Sequence, residues 1–355
     1  MELKYSQQEE IRNIKKLREL TKELPELCST FFRGIEPRTS SRTRIAYAYD
    51  LKVFFQYLID ENPVYKDHKI RDFTPEEIEK VSVLDLEEYM EYLKYRPTAS
   101  DTASSASQGI LNGTRGIKRK IASLKSFYNY LYKDEIIHQN PAALVSLPKL
   151  REQDIIRMDT NEVADFLDEV ESGNRLTKKQ QQFHEKTALR DSAMMNLMLG
   201  TGIRVSECVG LNLSDVDFNN DGIHIHRKGG KEVTVYFGDE VESILREYVE
   251  MRKHLIPKSG SEDALFLSLQ NKRIGVRAVE NLVKKYAMTV TPGKHITPHK
   301  LRSTYGTNLY RETGDIYLVA DVLGHNDVNT TKKHYAALED ERRRSARNKV
   351  HLRED

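Results

Sequence analysis

Four short stretches of this sequence carry side chains that could act together on a phosphate. In GTGIRVSE, residues 200–207, Gly200 and Gly202 loosen the backbone just before a helix, and Arg204 stands at the helix start. Glu207 falls three residues on, so it shares a face with Arg204 and can orient it. In TPHKLR, 297–302, Thr297 suits an N-cap and Pro298 the first helical position, which puts His299 and Arg302 on one face near a positive helix end. RKGGK, 227–231, sets Lys228 beside a tight turn, on the polar face with His224 and His226. LGHNDVNTTKKHYAAL, 323–338, supplies His325 in a Gly-His turn and then two neighbours on the following helix, His334 and Tyr335.

Taken singly, each is ordinary. Arg–Glu pairs at this spacing mostly hold helices together, and a lysine near a hairpin tip is mostly just solvated. In combination they meet a specific requirement. A tyrosine, with a pKa of about 10, becomes a phosphate nucleophile only with help. Two arginines and histidines can neutralise the oxygens of a pentacovalent transition state, and a guanidinium beside the N–H groups of a helix start is a good phosphate site. A lysine can protonate a departing 5′ oxygen. Such a site needs neither metal nor ATP, and the chain has no HExxH pattern and no GxxxxGK[ST] loop. His224 and His226 lack a partner motif that would complete a metal site. The sequence therefore predicts no metal and no cofactor.

These residues have to be positioned by a mostly helical chain. Residues 2–24 have Leu3, Ile11, Ile14, Leu17 and Leu20 on one face, and 43–59 and 83–95 are further amphipathic helices. The Ser/Thr/Ala/Gly-rich stretch 97–114 reads as a loop. A helix over 116–133 has an apolar stripe of Ile117, Ile121, Leu124, Phe127/Tyr128 and Leu131, with Lys118 and Lys125 off it. Two prolines in 138–154 suit a domain boundary at about 150. Beyond it, helical patterns occupy 160–171, 187–199, 239–254, 276–288, 298–312, 315–323 and 330–347. Strict alternation in 222–237 predicts a β-hairpin with Ile223, Ile225, Val233, Val235 and Phe237 on one face and a two-residue turn at Gly229-Gly230.

Composition narrows the class. The 355 residues, 38% hydrophobic and 31% charged, suit two globular domains, and no run approaches the length of a membrane span. The N-terminus has no apolar core for a signal peptide, and Cys28 and Cys208 are too far apart in sequence to suggest a disulfide framework, so a cytoplasmic protein is expected. The net charge is only +2, yet residues 103–133 contain no acid and carry Arg115, Lys118, Arg119, Lys120 and Lys125, a basic face fit for nucleic acid.

The residues that carry this chemistry also carry a family resemblance. LGTGIRVSECVGLNLSDVDF (199–218) is similar to the first arginine box of the tyrosine recombinases of the integrase family, and TPHKLRSTYGTNLY (297–310) resembles the second, with H-x-x-R intact. LGHNDVNTTKKHY (323–335) resembles the third box, which ends in the nucleophile, and the segments 43–58 and 117–131 resemble the core-binding domain. The match runs from about residue 25 to 340 and is nearest the Xer group.

This resemblance implies an all-helical core-binding domain (25–150) after an N-terminal extension helix (1–24), then a catalytic domain (155–355) that is helical with a small antiparallel sheet. It implies Arg204 and Arg302 as a phosphate clamp, His299 as acid/base and oxygen ligand, and Glu207 as support for Arg204. Lys228 falls at the family's hairpin lysine, with Lys231 the second choice, and His325 would bind the phosphate or assist the nucleophile. In most members the tyrosine lies nine residues after the third-box histidine. Here that place is His334, and Tyr335 is one further. Histidine cannot form the family's stable phosphotyrosyl link and no other tyrosine lies between 318 and 334, so Tyr335 is assigned, with NDVNT absorbing the extra residue.

The implied partners are a double-stranded DNA recombination site, three further copies in a homotetramer on two duplexes, and a DNA translocase at division; no membrane is implied. The long 97–114 loop resembles Xer enzymes that act alone, and a 24-residue extension is too short for an arm-binding domain, so chromosome-dimer resolution is favoured over integration of a mobile element. A type IB topoisomerase uses a similar residue set, and a non-catalytic DNA-binding regulator would keep the basic helix without needing that set.

Overall fold

The computed structural model of the chain describes residues 5–96, 109–150, 156–227 and 231–324. It divides into two compact units, Met1–Glu152 and Gln153–Asp355. The first is built from α1 (Tyr5–Thr21), α2 (Glu26–Gly34), α3 (Ser41–Glu61), α4 (Pro75–Lys80), α5 (Val83–Tyr92), β1 (Tyr95–Arg96), β2 (Ile110–Leu111), α6 (Thr114–Lys133) and α7 (Pro141–Leu144). Ser40 starts α3 by accepting a hydrogen bond from the Thr43 N–H at 3.2 Å. From there Ala48, Leu51, Phe55 and Leu58 recur at helical spacing and are all buried. The stripe expected of α6 is buried in full, and Phe127 packs edge-on against Phe31 with ring centroids 5.3 Å apart. In α1, Leu17 and Leu20 join this core while Ile11 stays 40% exposed, so only the C-terminal half of the expected face is seated.

Two sequence expectations fail at the end of α5. The helix stops at Tyr92 rather than 95, and Ile110–Leu111, expected in a loop, form a strand. Tyr95 pairs with Leu111 and Arg96 with Ile110, antiparallel. Pro97 is the physical reason, because the residue before a proline is disfavoured in the α region and goes extended. Asn112 secures the arrangement by donating from Nδ2 to the Leu93 carbonyl at 2.7 Å.

The second unit contains α8 (Thr160–Ser172), α9 (Lys178–His184), α10 (Ala188–Thr201), α11 (Val205–Gly210), β3 (Val216–Asp217), β4 (Gly222–His226), β5 (Glu232–Tyr236), α12 (Asp239–Lys253), α13 (Val276–Val290), α14 (Pro298–Thr313) and α15 (Ile316–Leu323). Helix α10 is buried on nearly all sides, with Met194, Met195, Leu197 and Met198 fully enclosed and α8, α12 and α14 packed around it. Its buried Asp191 accepts from Arg190 Nη2 at 2.6 Å and from the Tyr286 hydroxyl at 2.8 Å, so the charge is paired in the core. That burial and the adjacent carboxylate push the Tyr286 hydroxyl pKa well up.

The sheet runs β3-β4-β5, all antiparallel, and Ile223, Ile225, Val235 and Phe237 are buried as the alternation predicts. His226 pairs with Glu232, and the Arg227 N–H donates to the Lys231 carbonyl at 2.8 Å. The two-residue turn expected at Gly229-Gly230 lies outside the described residues. The D-x-D triplet Asp215–Asp217 serves turns: Asp215 accepts from the Asn212 N–H at 2.8 Å and Asp217 from the Asn219 N–H at 2.9 Å. No helix among the described residues is long and apolar enough to cross a membrane. The helix expected over 330–347 lies outside the described residues.

Candidate active site

Arg204 is the N-cap residue of α11, and Glu207 serves it twice. One carboxylate oxygen accepts from the Arg204 backbone N–H at 2.7 Å, closing a capping box, and the other accepts from Nη1 at 2.8 Å. Glu207 is only 6% exposed, which fixes the guanidinium from below. Nη2 of Arg204 then donates to the Gly324 carbonyl at 3.3 Å.

Arg302 sits in the first turns of α14, after Thr297 at the N-cap and Pro298 at the start. It is 4% exposed, and its guanidinium donates to the carbonyls of Gly202 and Leu323. Gly202 can offer that carbonyl because it ends α10 at φ +64°, a left-handed conformation that glycine adopts without penalty. A Cβ there would also strike Tyr305. His299, three residues before Arg302, is exposed on the same helix.

A third guanidinium, which the sequence reading passed over, reaches the same point. Arg227 donates from Nη2 to the Val322 carbonyl at 2.6 Å and from Nη1 to that of Asp321 at 3.4 Å. Parity could have found it. Residue 227 continues the series Ile223, Ile225 on the inward face of β4, whereas attention went to Lys228 on the polar face.

Three arginines thus take the last four carbonyls of α15 and its cap, 321–324. A helix C-terminus is the negative end of the peptide dipoles, so it attracts cations. The opposing carboxylate is Glu207. Burial pulls the proton affinity of Arg227 below its usual value, Arg204 adding to the effect and Glu207 opposing it. The result is a concentrated positive patch immediately before residue 325. Of the other expected residues, Lys228, His325 and Tyr335 lie outside the described residues. Lys228 directly follows Arg227 in the chain, and His325 directly follows Gly324.

In the N-terminal unit the basic residues of α6 divide by environment. Arg119 forks onto both oxygens of Asp50, a carboxylate only 3% exposed. Lys120 lies 4.0 Å from the same carboxylate, and burial lowers its proton affinity. Lys125 donates to the Ala143 carbonyl at 3.4 Å. Arg115 is exposed, and neither it nor Lys118 bonds to another described side chain. A consequence can be measured. Arg115→Ala with Lys118→Ala should leave the melting temperature unchanged and flatten the salt dependence of DNA binding, by roughly one unit of log–log slope per lost phosphate contact. Arg119→Ala should instead unfold more easily, because it takes the two-pronged partner from a buried carboxylate and leaves only Lys120, at 4.0 Å, beside it. An unchanged slope in the double variant would place these two side chains away from DNA.

The sequence profile of the Phage integrase family matches residues 156–342. The tyrosine recombinase XerC of Caldanaerobacter subterraneus subsp. tengcongensis is 33% identical over 336 residues, covering 92% of this chain and 86% of that protein. Among solved structures, the XerH site-specific recombinase bound to palindromic difH substrate in a post-cleavage complex has a TM-score of 0.62 at 17% identity, over 86% of this chain and 80% of that one. The Tn1549 transposon integrase in complex with a circular intermediate DNA has a TM-score of 0.61 at 20% identity, over 89% of this chain and 99% of that one. At these identities the two structures establish a shared fold.

Proposed function

The chain belongs to the phage integrase family and is a Xer-like tyrosine recombinase, and on that premise we propose how its residues break and rejoin DNA at a specific site. The supporting observation is the convergence of Arg204 and Arg302 on the carbonyls of Gly324 and Leu323, the first two residues of the third box. A guanidinium carries five N–H donors, and the bonds of Arg204 to Glu207 and Gly324 leave some of them to meet phosphate oxygens. With the scissile phosphate bound there, the Tyr335 oxygen attacks phosphorus, its hydroxyl proton passes to His299 as the base, and the bond to the 5′ oxygen breaks. Lys228 gives that oxygen a proton, and a 5′-hydroxyl leaves. His299 and His325 complete the shell of donors around the non-bridging oxygens, where negative charge grows in the transition state. The 3′-phosphotyrosyl link stores the phosphodiester, so the 5′-hydroxyl of a partner duplex can reverse the chemistry and pass through a Holliday junction without external energy.

Chromosome-dimer resolution in the cytoplasm, by a homotetramer on two duplexes brought together by a DNA translocase, is the physiological reading. The name and extent of the XerC relative support it. The fold alone does not discriminate, since a transposon integrase shares it.

Two measurements test this reading. On a nicked suicide duplex the wild type should accumulate a covalent protein–DNA band, in EDTA as well as in magnesium, because arginines supply the charge compensation. Strict magnesium dependence of strand scission would sink the mechanism. Sequencing of bound sites in the native cell should give one dominant peak opposite the replication origin. A peak confined to the ends of an inserted element would assign the chain to mobile-element integration instead.

A further inference from the structure

Arg227 joins two elements through its backbone and its side chain. Its backbone N–H closes the mouth of the hairpin on Lys231, and its side chain crosses to the end of α15. The two contacts tie the ends of β4 and β5 to the last turn of α15. The neighbouring sequence is shaped to admit it. A Cβ on Gly324, which has φ +60°, would meet the Arg227 guanidinium at 2.1 Å from Nη1 and 2.5 Å from Cζ. Any other residue at 324 would push the clip out.

An arginine here is costly if its purpose is only to hold the fold. The guanidinium is half-buried, and its Nε is enclosed with no hydrogen-bond partner among the described residues. It also sits within the field of Arg204, a like charge, which the carboxylate of Glu207 opposes. Replacing a buried cation by a well-packed apolar side chain is commonly neutral or stabilising, so packing alone does not call for one. Clusters of desolvated like charges are characteristic of functional sites. What this cation does is grip two carbonyls of one element from the end of another, which fixes their separation and orientation.

We infer that Arg227 is a positioning residue for strand cleavage: its grip on the Asp321 and Val322 carbonyls sets the hairpin, and with it the hairpin lysine, against the phosphate-binding arginines. The inference rests on the proposed recombinase mechanism, in which Lys228 serves the leaving oxygen. It assigns Arg227 no contact with DNA.

The experiment is a double-mutant cycle on the full-length protein, read as the single-turnover rate of adduct formation on the suicide duplex. Arg227→Ala should cleave roughly 10²-fold more slowly, the cost of an ångström-scale misplacement, with DNA affinity unchanged. In a Lys228→Ala background the same substitution should add no further loss, because its effect already passes through that lysine. Arg227→Lys keeps the charge and its donors but not the planar fork that reaches two carbonyls at once, and should recover part of the rate. Gly324→Ala, which expels the guanidinium from the other side, should reproduce the Arg227→Ala loss.

Wild-type cleavage by Arg227→Ala would overturn the inference, as would an equal loss in both backgrounds. Thermal melting establishes that each variant is folded; if Arg227→Ala is not, Arg227→Lys and Gly324→Ala carry the same cycle. Failure of the Lys228 assignment shows separately. If Lys228→Ala costs nothing, Lys231→Ala takes its place in the cycle. If Lys228→Ala is slow but is not rescued by a 5′-bridging sulfur, its acid role falls while the cycle still reports on Arg227.

Discussion

Tyr335→Phe is expected to bind its DNA site as tightly as the wild type and to form no covalent adduct at any time of incubation. The substitution removes one oxygen and keeps the ring, so packing is conserved and only the nucleophile is lost. No neighbouring group can stand in for it, because the stable intermediate requires a phosphotyrosyl ester. The point at issue is register. The family's usual spacing from His325 points to His334, and one residue along a helix turns a side chain by about 100°, enough to miss a phosphate held by Arg204 and Arg302. Both candidates lie outside the described residues, which makes the paired experiment decisive. On a nicked suicide duplex, His334→Ala should retain the protein–DNA band and Tyr335→Phe should lack it. The reverse pattern would move the nucleophile to the family's usual place and leave Tyr335 on the flank of the helix.

How much of this was legible beforehand follows from the length scale of each signal. The helices α3, α6 and α13 announce themselves because apolar residues recur over three or more turns, and their expected limits agree with the structure to within two residues. The hairpin was visible from alternation, and the alternation also held the information that Arg227 faces inward. That signal is weak on its own, because a single charged residue at the end of an apolar series breaks the hydrophobic pattern that marks the face. Two-residue strands such as β1 and β2 carry no period to detect, and their partners are separated by a loop, so only pairing in three dimensions defines them. The same limit applies to the site. The Arg204–Glu207 pair is local and was expected from spacing, whereas Arg302 meets the Gly202 carbonyl across 100 residues of chain, a contact no window of sequence contains. Arg119 makes the point from the other side. A run of basic residues reads as a DNA face, but its carboxylate partner, Asp50, lies 69 residues away and the run could not reveal it.

Lys228→Ala should slow cleavage on the order of 10²–10⁴-fold, the range for loss of a positioned proton donor. The reason is the leaving group. A 5′ alkoxide is a poor one in water, and a proton arriving as the P–O bond breaks removes the cost of making it. If that is the whole of the lysine's contribution, the loss must vanish when the leaving atom no longer needs a proton. A duplex with sulfur in place of the 5′-bridging oxygen meets this condition, since a thiolate departs unprotonated. Lys228→Ala should therefore cleave the sulfur duplex at close to the wild-type rate, while Arg204→Ala should stay slow on both, because its guanidinium acts on the non-bridging oxygens that the sulfur leaves untouched. Arg302→Ala should also stay slow on both and melt earlier, since its buried guanidinium bonds the Gly202 and Leu323 carbonyls and their loss leaves buried acceptors without donors. Rescue confined to Lys231→Ala would hand the acid role to that residue. Equal rescue of Lys228→Ala and Arg204→Ala would mean that the sulfur substrate relieves some common step, and the division between a lysine on the leaving oxygen and arginines on the phosphate would then have to be abandoned.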